Sequence, residues 1–176
     1  MEIKTYDIKI PEGCNLIFGQ SHFIKTVEDI SEALTNAVPG VKFAVAFAES
    51  SGKRLVRYDG NDEELISTAV QCVKEMGAGH TFLIIIRNAF PINLLRHLRD
   101  VPELVSLYCA TANPVKVFLA QDGDSVAVLG VADGLRPLGV ESQEDKAERV
   151  KLLRELGYKR ARPQIRPHRY PKAVLS

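Results

Sequence analysis

Apolar and polar positions alternate with two different periods along this chain, and the switches between them predict its elements. Ile3, Tyr6, Ile8 and Ile10 lie in a charged stretch that predicts a strand, closed by Pro11-Glu12-Gly13. Cys14 to Phe18 predicts a second short strand, so 1–18 is expected to fold as a hairpin. Val27, Ile30, Leu34 and Val38 then recur at helical spacing, and the helix they predict stops at Pro39-Gly40. Val41 to Ala48 is a nearly continuous apolar run, as an interior strand requires. Arg54 to Tyr58 predicts a return strand. A second helix is expected from a cap at Asn61 or Asp62, with Leu65, Ile66, Ala69, Val70, Val73 and Met76 inward and Gly77 and Gly79 ending it. Thr81 to Ile86 is the most apolar strand and is placed at the centre of the sheet.

The second half continues the alternation. Pro91 is placed for the first position of a short helix over 92–99. A strand is expected over 104–110, then a hairpin of 115–120 and 125–131 around Gln121-Asp122-Gly123-Asp124. A charged helix over 142–156 is expected to turn Ala147, Val150, Leu153 and Leu156 inward. Interleaved strands and helices with several hairpins predict an α/β fold. The expected architecture is a layered sandwich, single domain, with a mixed β-sheet and helices on its faces.

The stretch Phe18–Asp29 is where the chain turns from a strand into its first helix. Thr26 is expected to cap that helix, with Asp29 three residues on. His22 and Lys25 then precede a helix N-terminus, where free N–H groups and the helix dipole favour an anion. A histidine there can carry a phosphoryl group, and a lysine can hold a phosphate as a point charge. The residues equally allow His22 to be an ordinary half-buried turn residue.

Composition narrows the setting. The chain has 176 residues, 45% apolar, and no run approaches the roughly 20 apolar residues of a membrane span. Its charged, alternating N-terminus is unlike a secretory signal, and its three widely spaced cysteines fit neither a disulfide framework nor a metal motif. A reducing cytoplasm is the expected location. The net charge of +1 conceals an asymmetry: six Lys/Arg and no Asp/Glu fall in 157–176, leaving 17 basic against 22 acidic residues before it. The last stretch, 159–176, is therefore read as a basic, proline-rich tail on an acidic domain of 1–158. Packing against an acidic surface is favoured for it over nucleic-acid binding, because no nucleic-acid fold signature precedes it.

No Walker-type phosphate loop, dinucleotide fingerprint, zinc motif or nucleophile elbow is present. Gly77-Ala78-Gly79-His80 follows a helix, the wrong end for a phosphate, though His80 can still face a cleft. Three polar turns fall at predicted strand ends: Glu49 to Gly52, Asn88 to Asn93, and Thr111 to Asn113. Open α/β sheets build their sites at such ends.

Several stretches together resemble the adenosine-specific kinase family. They are S-H-F-I-K-T-V-E-D (21–29), A-E-S-S-G (48–52), V-R-Y-D-G-N-D (56–62), G-A-G-H (77–80), N-A-F-P-I-N (88–93), C-A-T-A-N-P (109–114) and L-G-V-A-D-G (129–134). They span residues 1 to about 158. The family usually has Ala-Ser-Gly where this chain has Ser50-Ser51-Gly52, and the basic tail is not a family feature. The resemblance implies an α/β sandwich that assembles as a trimer or hexamer, binds adenosine and AMP, and carries phosphate on a histidine.

The expected activity is therefore a phosphotransferase acting on adenosine, with a non-catalytic adenosine/AMP sensor as the alternative. His22 is the expected phosphate carrier and His80 the reserve. Lys25 and the N–H groups near Thr26 are expected to neutralise the phosphate, and Glu49 to orient the histidine or bind ribose hydroxyls. Ser51, Gly52, His80, Asn88, Asn93, Thr111 and Asn113 are the candidate substrate-binding residues. The residues specify neither a metal site nor a cofactor, and magnesium is left open. With one lysine and one helix end for phosphate, AMP is expected to bind better than ADP or ATP.

Overall fold

The structure is a computed structural model that describes residues 1–160; the rest of the basic tail lies outside the described residues. Its strands are β1 (Glu2–Ile8), β2 (Asn15–Ser21), β3 (Lys42–Ala48), β4 (Val56–Gly60), β5 (Thr81–Arg87), β6 (Leu104–Thr111), β7 (Val115–Asp122) and β8 (Ser125–Asp133). The helices are α1 (Thr26–Ala37), α2 (Glu63–Met76), α3 (Pro91–Arg99) and α4 (Gln143–Glu155). The chain divides into one compact unit of Met1–Leu135 and a second that begins at Arg136.

The first unit is the expected layered α/β sandwich, built on a five-stranded sheet in the order β4-β3-β5-β2-β6. β5 is its middle strand, and Thr81 to Ile86 are all buried. Both faces of that strand are covered, which is why the sequence there shows an unbroken apolar run. On one face Ile17, Phe43, Val45, Phe47, Phe82, Ile84 and Ile86 pack against Val27, Ile30 and Leu34 of α1 and Leu94 and Leu98 of α3. On the other, Leu16, Phe18, Ala44, Ala46, Leu83 and Ile85 meet α2 through Leu65, Ala69, Val73 and Met76. A three-stranded sheet, β1-β7-β8, adds Ile8, Val115, Val117 and Leu119 to this second core.

Every strand pairing is antiparallel, where a mixed sheet was expected. The reason lies in the crossovers. α1 links β2 to β3, two strands that run parallel but never touch, because β5 is inserted between them. α3 links β5 to β6 in the same way around β2. A β-α-β sequence thus appears without a parallel pair.

The expected hairpin over 1–18 does not form. β1 pairs with β7, from Glu2↔Gln121 to Ile8↔Val115, while β2 lies between β5 and β6. β1 turns only one face inward, whereas Leu16, Ile17 and Phe18 of β2 are buried on both faces. A half-solvated strand and a fully buried one belong to different sheets.

In the second unit, Ser142 caps α4 by accepting from the Asp145 N–H at 3.1 Å, and Asp145 returns a bond to the Ser142 N–H at 2.7 Å. Ala147, Val150, Leu153 and Leu156 are expected to face inward, and among the described residues none of α4 is buried.

Candidate functional site

The register of the five-stranded sheet decides which candidate residues can meet. β5 starts beside the ends of β2 and β3, so Gln20 faces Thr81 and Phe47 faces Phe82. β6 starts at the same end, with Ser21 facing Leu104. His22, Lys25, Glu49, Ser51, Gly52 and His80 therefore gather at one end of the sheet. Asn88 follows the far end of β5, and Thr111 faces Leu16 at the far end of β2. Seven residues of strand separate the two ends, roughly 20 Å. Asn88, Asn93, Thr111 and Asn113 cannot reach a nucleoside held at the His22 end of the same chain.

Those four residues have structural work at their own end. The Asn93 carboxamide oxygen accepts from the Phe90 N–H at 3.0 Å, capping α3. Asn88 takes a left-handed backbone, φ 65°, which asparagine tolerates in a turn. The Thr111 hydroxyl accepts from the Asn113 N–H at 3.0 Å, and the Asn113 amide donates to Asp133 at 3.1 Å. They fix the turn from β6 to β7 against the end of β8.

At the other end the two candidate histidines stand on adjoining strand ends. The Ser21 N–H donates to the His80 carbonyl at 2.9 Å, and the His80 N–H donates to the Ala48 carbonyl at 2.8 Å. His80 has φ 61°, a left-handed conformation that costs a non-glycine residue about 1–2 kcal/mol. Its ring stacks on Phe47, centroids 5.9 Å apart and planes 7° from parallel. His22 is exposed, and its backbone N–H donates to the Glu103 carbonyl at 3.2 Å.

The entry to α1 differs from expectation. The helix begins at Thr26, its N-cap is Lys25, and no side chain caps it. The Thr26 hydroxyl instead donates back to the Phe23 carbonyl and lies 2.6 Å from the Ser21 hydroxyl. The Lys25 ammonium is 2.6 Å from Asp29 and 3.6 Å from Glu103. The Asp29 hydrogen bond leads the causes that raise its pKa above the ordinary lysine value. Glu103 was not singled out in the sequence. It is 2% exposed, and among the described residues neither carboxylate oxygen has a hydrogen-bond partner. Its position between Pro102 and a strand gives no signal of burial. A phosphate beside His22 thus meets Lys25 already facing two carboxylates.

Glu49 is fixed from two sides. Its carboxylate accepts from the Leu55 N–H at 3.1 Å and from Arg57 at 3.1 and 3.2 Å. The backbone bond from Leu55 leads, followed by Arg57 and Lys53, in holding its pKa below the ordinary glutamate value. Beside it opens a cavity of about 580 Å³ between the 49–56 loop, the end of α2 and the tip of the β7–β8 hairpin. Lys53, Arg54 and Lys74 line it together with Glu49 and Asp124. The sequence does not show these three cations as a group, because they come from a loop and from a helix's last turn.

The profile of the family described as "Adenosine specific kinase" matches residues 6–159. The chain is also similar to the crystal structure of the PH1918 protein from Pyrococcus horikoshii OT3. That comparison has a TM-score of 0.86 and 42% identity, covering 90% of this chain and 98% of that one. None of the curated proteins matches.

Proposed function

The chain belongs to the adenosine-specific kinase family, and from that premise we propose that it binds adenosine and AMP and transfers phosphate through a phosphohistidine at His22. Family membership itself points to adenosine-related kinase chemistry. The observation that carries the finer reading is the convergence of His22, His80, Lys25 and Glu49 on one end of the central sheet. His22 is the exposed histidine of the pair, at an uncapped helix N-terminus whose N–H groups can face an anion. His80 is packed against Phe47 and shapes the strand end.

In this reading a phosphate donor gives its phosphoryl group to a ring nitrogen of His22, and the bond to the donor's leaving group breaks. The adenosine hydroxyl then attacks phosphorus, the P–N bond breaks, and the hydroxyl proton passes to the ring nitrogen that is released. Positioning and charge neutralisation supply most of what such a transfer needs. Glu49, held ionised by Leu55 and Arg57, suits accepting a ribose hydroxyl and is a weak base. The Thr26 N–H is taken by the Phe23 carbonyl, so the N–H groups that follow it are the ones left for a phosphate at the helix entry, and Ser51 and Gly52 shape the loop after β3. The protein assembles as a homo-oligomer.

A second reading has one observation in its favour. Lys25 already faces Asp29 and Glu103, so the charge available to drive turnover at His22 is reduced. A sensor that merely holds phosphate fits that arrangement. Turnover separates the two: the chain is incubated with adenosine and candidate donors, and AMP is counted per subunit. More than one AMP per subunit is expected. None with any donor supports the sensor.

A further inference from the structure

The cavity beside Glu49 has features that the reading of His22 does not use. Three cations, Lys53, Arg54 and Lys74, line one space of about 580 Å³, a volume in the range of small-molecule sites. Among the described residues none of the three forms a salt bridge. Of the two acids in the wall, Glu49 is already engaged by Arg57, which leaves Asp124 against three positive charges. α2 ends here, and Lys74 in its last turn offsets the negative end of the helix dipole. Lys25 differs, with two carboxylates within 3.6 Å.

The loop that carries two of these cations is held in shape. Glu49 and Leu55 exchange hydrogen bonds, with the Glu49 N–H donating at 3.0 Å and the Leu55 N–H returning one to the carboxylate at 3.1 Å. Arg54 takes a left-handed backbone at φ 51°, closed by its N–H donating to the Ser51 carbonyl at 3.2 Å. Ser50 packs so close to Gly79 that a Cβ there would lie 2.5 Å from the serine hydroxyl. A non-glycine residue held in this conformation at the wall of a cavity is the kind of backbone strain that clusters at ligand sites.

We propose that this cavity binds a phosphate-bearing small molecule, with its phosphate among Lys53, Arg54 and Lys74. Leu55, Val56, Val73 and Val126 form apolar wall for whatever the phosphate carries. The inference stands independently of His22. It also supplies cationic charge for more than one phosphate, which the sequence expectation of a single-phosphate site lacked.

The test is isothermal titration calorimetry on the full chain with inorganic pyrophosphate, AMP and adenosine. The variants are Lys53→Gln/Lys74→Gln and the same pair with Arg54→Gly. Arg54→Gly removes the cation while suiting the left-handed backbone. Pyrophosphate binding is expected to weaken as salt rises and to fall at least tenfold in the triple variant. AMP losing affinity in parallel while adenosine does not marks the phosphate as nucleotide-borne, and loss for pyrophosphate alone marks it as free. Absence of pyrophosphate binding to the native chain overturns the proposal, as does undiminished binding in either folded cation variant. If the triple variant fails to fold, the Lys53→Gln/Lys74→Gln pair decides, with a loss of at least threefold expected.

Discussion

Glu49 shows how one residue's surroundings set its chemistry. Its carboxylate is held below the usual glutamate range, first by the Leu55 N–H and then by Arg57 and Lys53. A carboxylate with a depressed folded-state pKa adds stability that is present above its unfolded value and is lost as pH falls through the folded one. Glu49 therefore contributes through neutral pH and down to mild acid, and the contribution disappears below the ordinary glutamate range. Denaturant midpoints of the native chain and Glu49→Gln are expected to differ at pH 7 and to converge as pH drops through that range. A constant difference at every pH would mean that Glu49 acts by packing alone. Cys109 makes a complementary case: burial and the nearby Asp133 carboxylate push its thiol up to about 11. It should be alkylated slowly at neutral pH, and rapid labelling in the folded chain would contradict that. Residues of this kind were unevenly legible in the sequence. His22, Lys25 and Glu49 stood out as polar groups at strand ends, whereas Glu103 and the Lys53, Arg54 and Lys74 set acquire meaning only when separate elements meet.

At the scale of elements, local pattern was a good guide and pairing was not. β3, β5 and α2 follow their apolar periodicity closely because their burial is uniform along their length. The partner of β1 was hidden, since β7 lies more than a hundred residues away and nothing in the 11–13 turn distinguishes a hairpin from a change of sheet. The pairing of β2 with β5 and β6 puts the Asn88–Asn93 and Thr111–Asn113 turns at the opposite end from His22. Asn93 is a candidate substrate-binding residue by sequence, and in the structure its side chain closes the helix end. Asn93→Ala is expected to cost about 1 kcal/mol in chemical denaturation and to leave AMP affinity unchanged. A tenfold loss of AMP affinity with unchanged stability would reverse that assignment. Gly19 makes a sharper test of the central sheet. A Cβ there would lie 2.5 Å from the Ser106 carbonyl oxygen and 2.6 Å from the Phe82 ring. Gly19→Ala is expected to destabilise the chain by about 1–3 kcal/mol. A midpoint equal to that of the native chain would mean the sheet has room the structure does not show.

At the scale of the whole molecule, the described chain leaves apolar surface uncovered. Leu138 and Val140 are 99% and 98% exposed, and α4 has no buried residue along its 13 residues. Helices of about that length are marginal in water without tertiary contacts. A homo-oligomer is proposed for this chain, so light scattering at micromolar concentration should give a mass that is a multiple of 19.5 kDa. A monomer at that concentration would contradict the assembly. The central claim, that the sheet end carrying His22 is a phosphoryl-carrying site, is tested most directly by intact-mass spectrometry. The native chain, His22→Asn and His80→Asn are each measured after purification and after incubation with phosphate donors. The native chain and His80→Asn should show a species heavier by about 80 Da, and His22→Asn should not. Persistence of that species in His22→Asn with its loss in His80→Asn, or its absence from the native chain with every donor, would contradict the account.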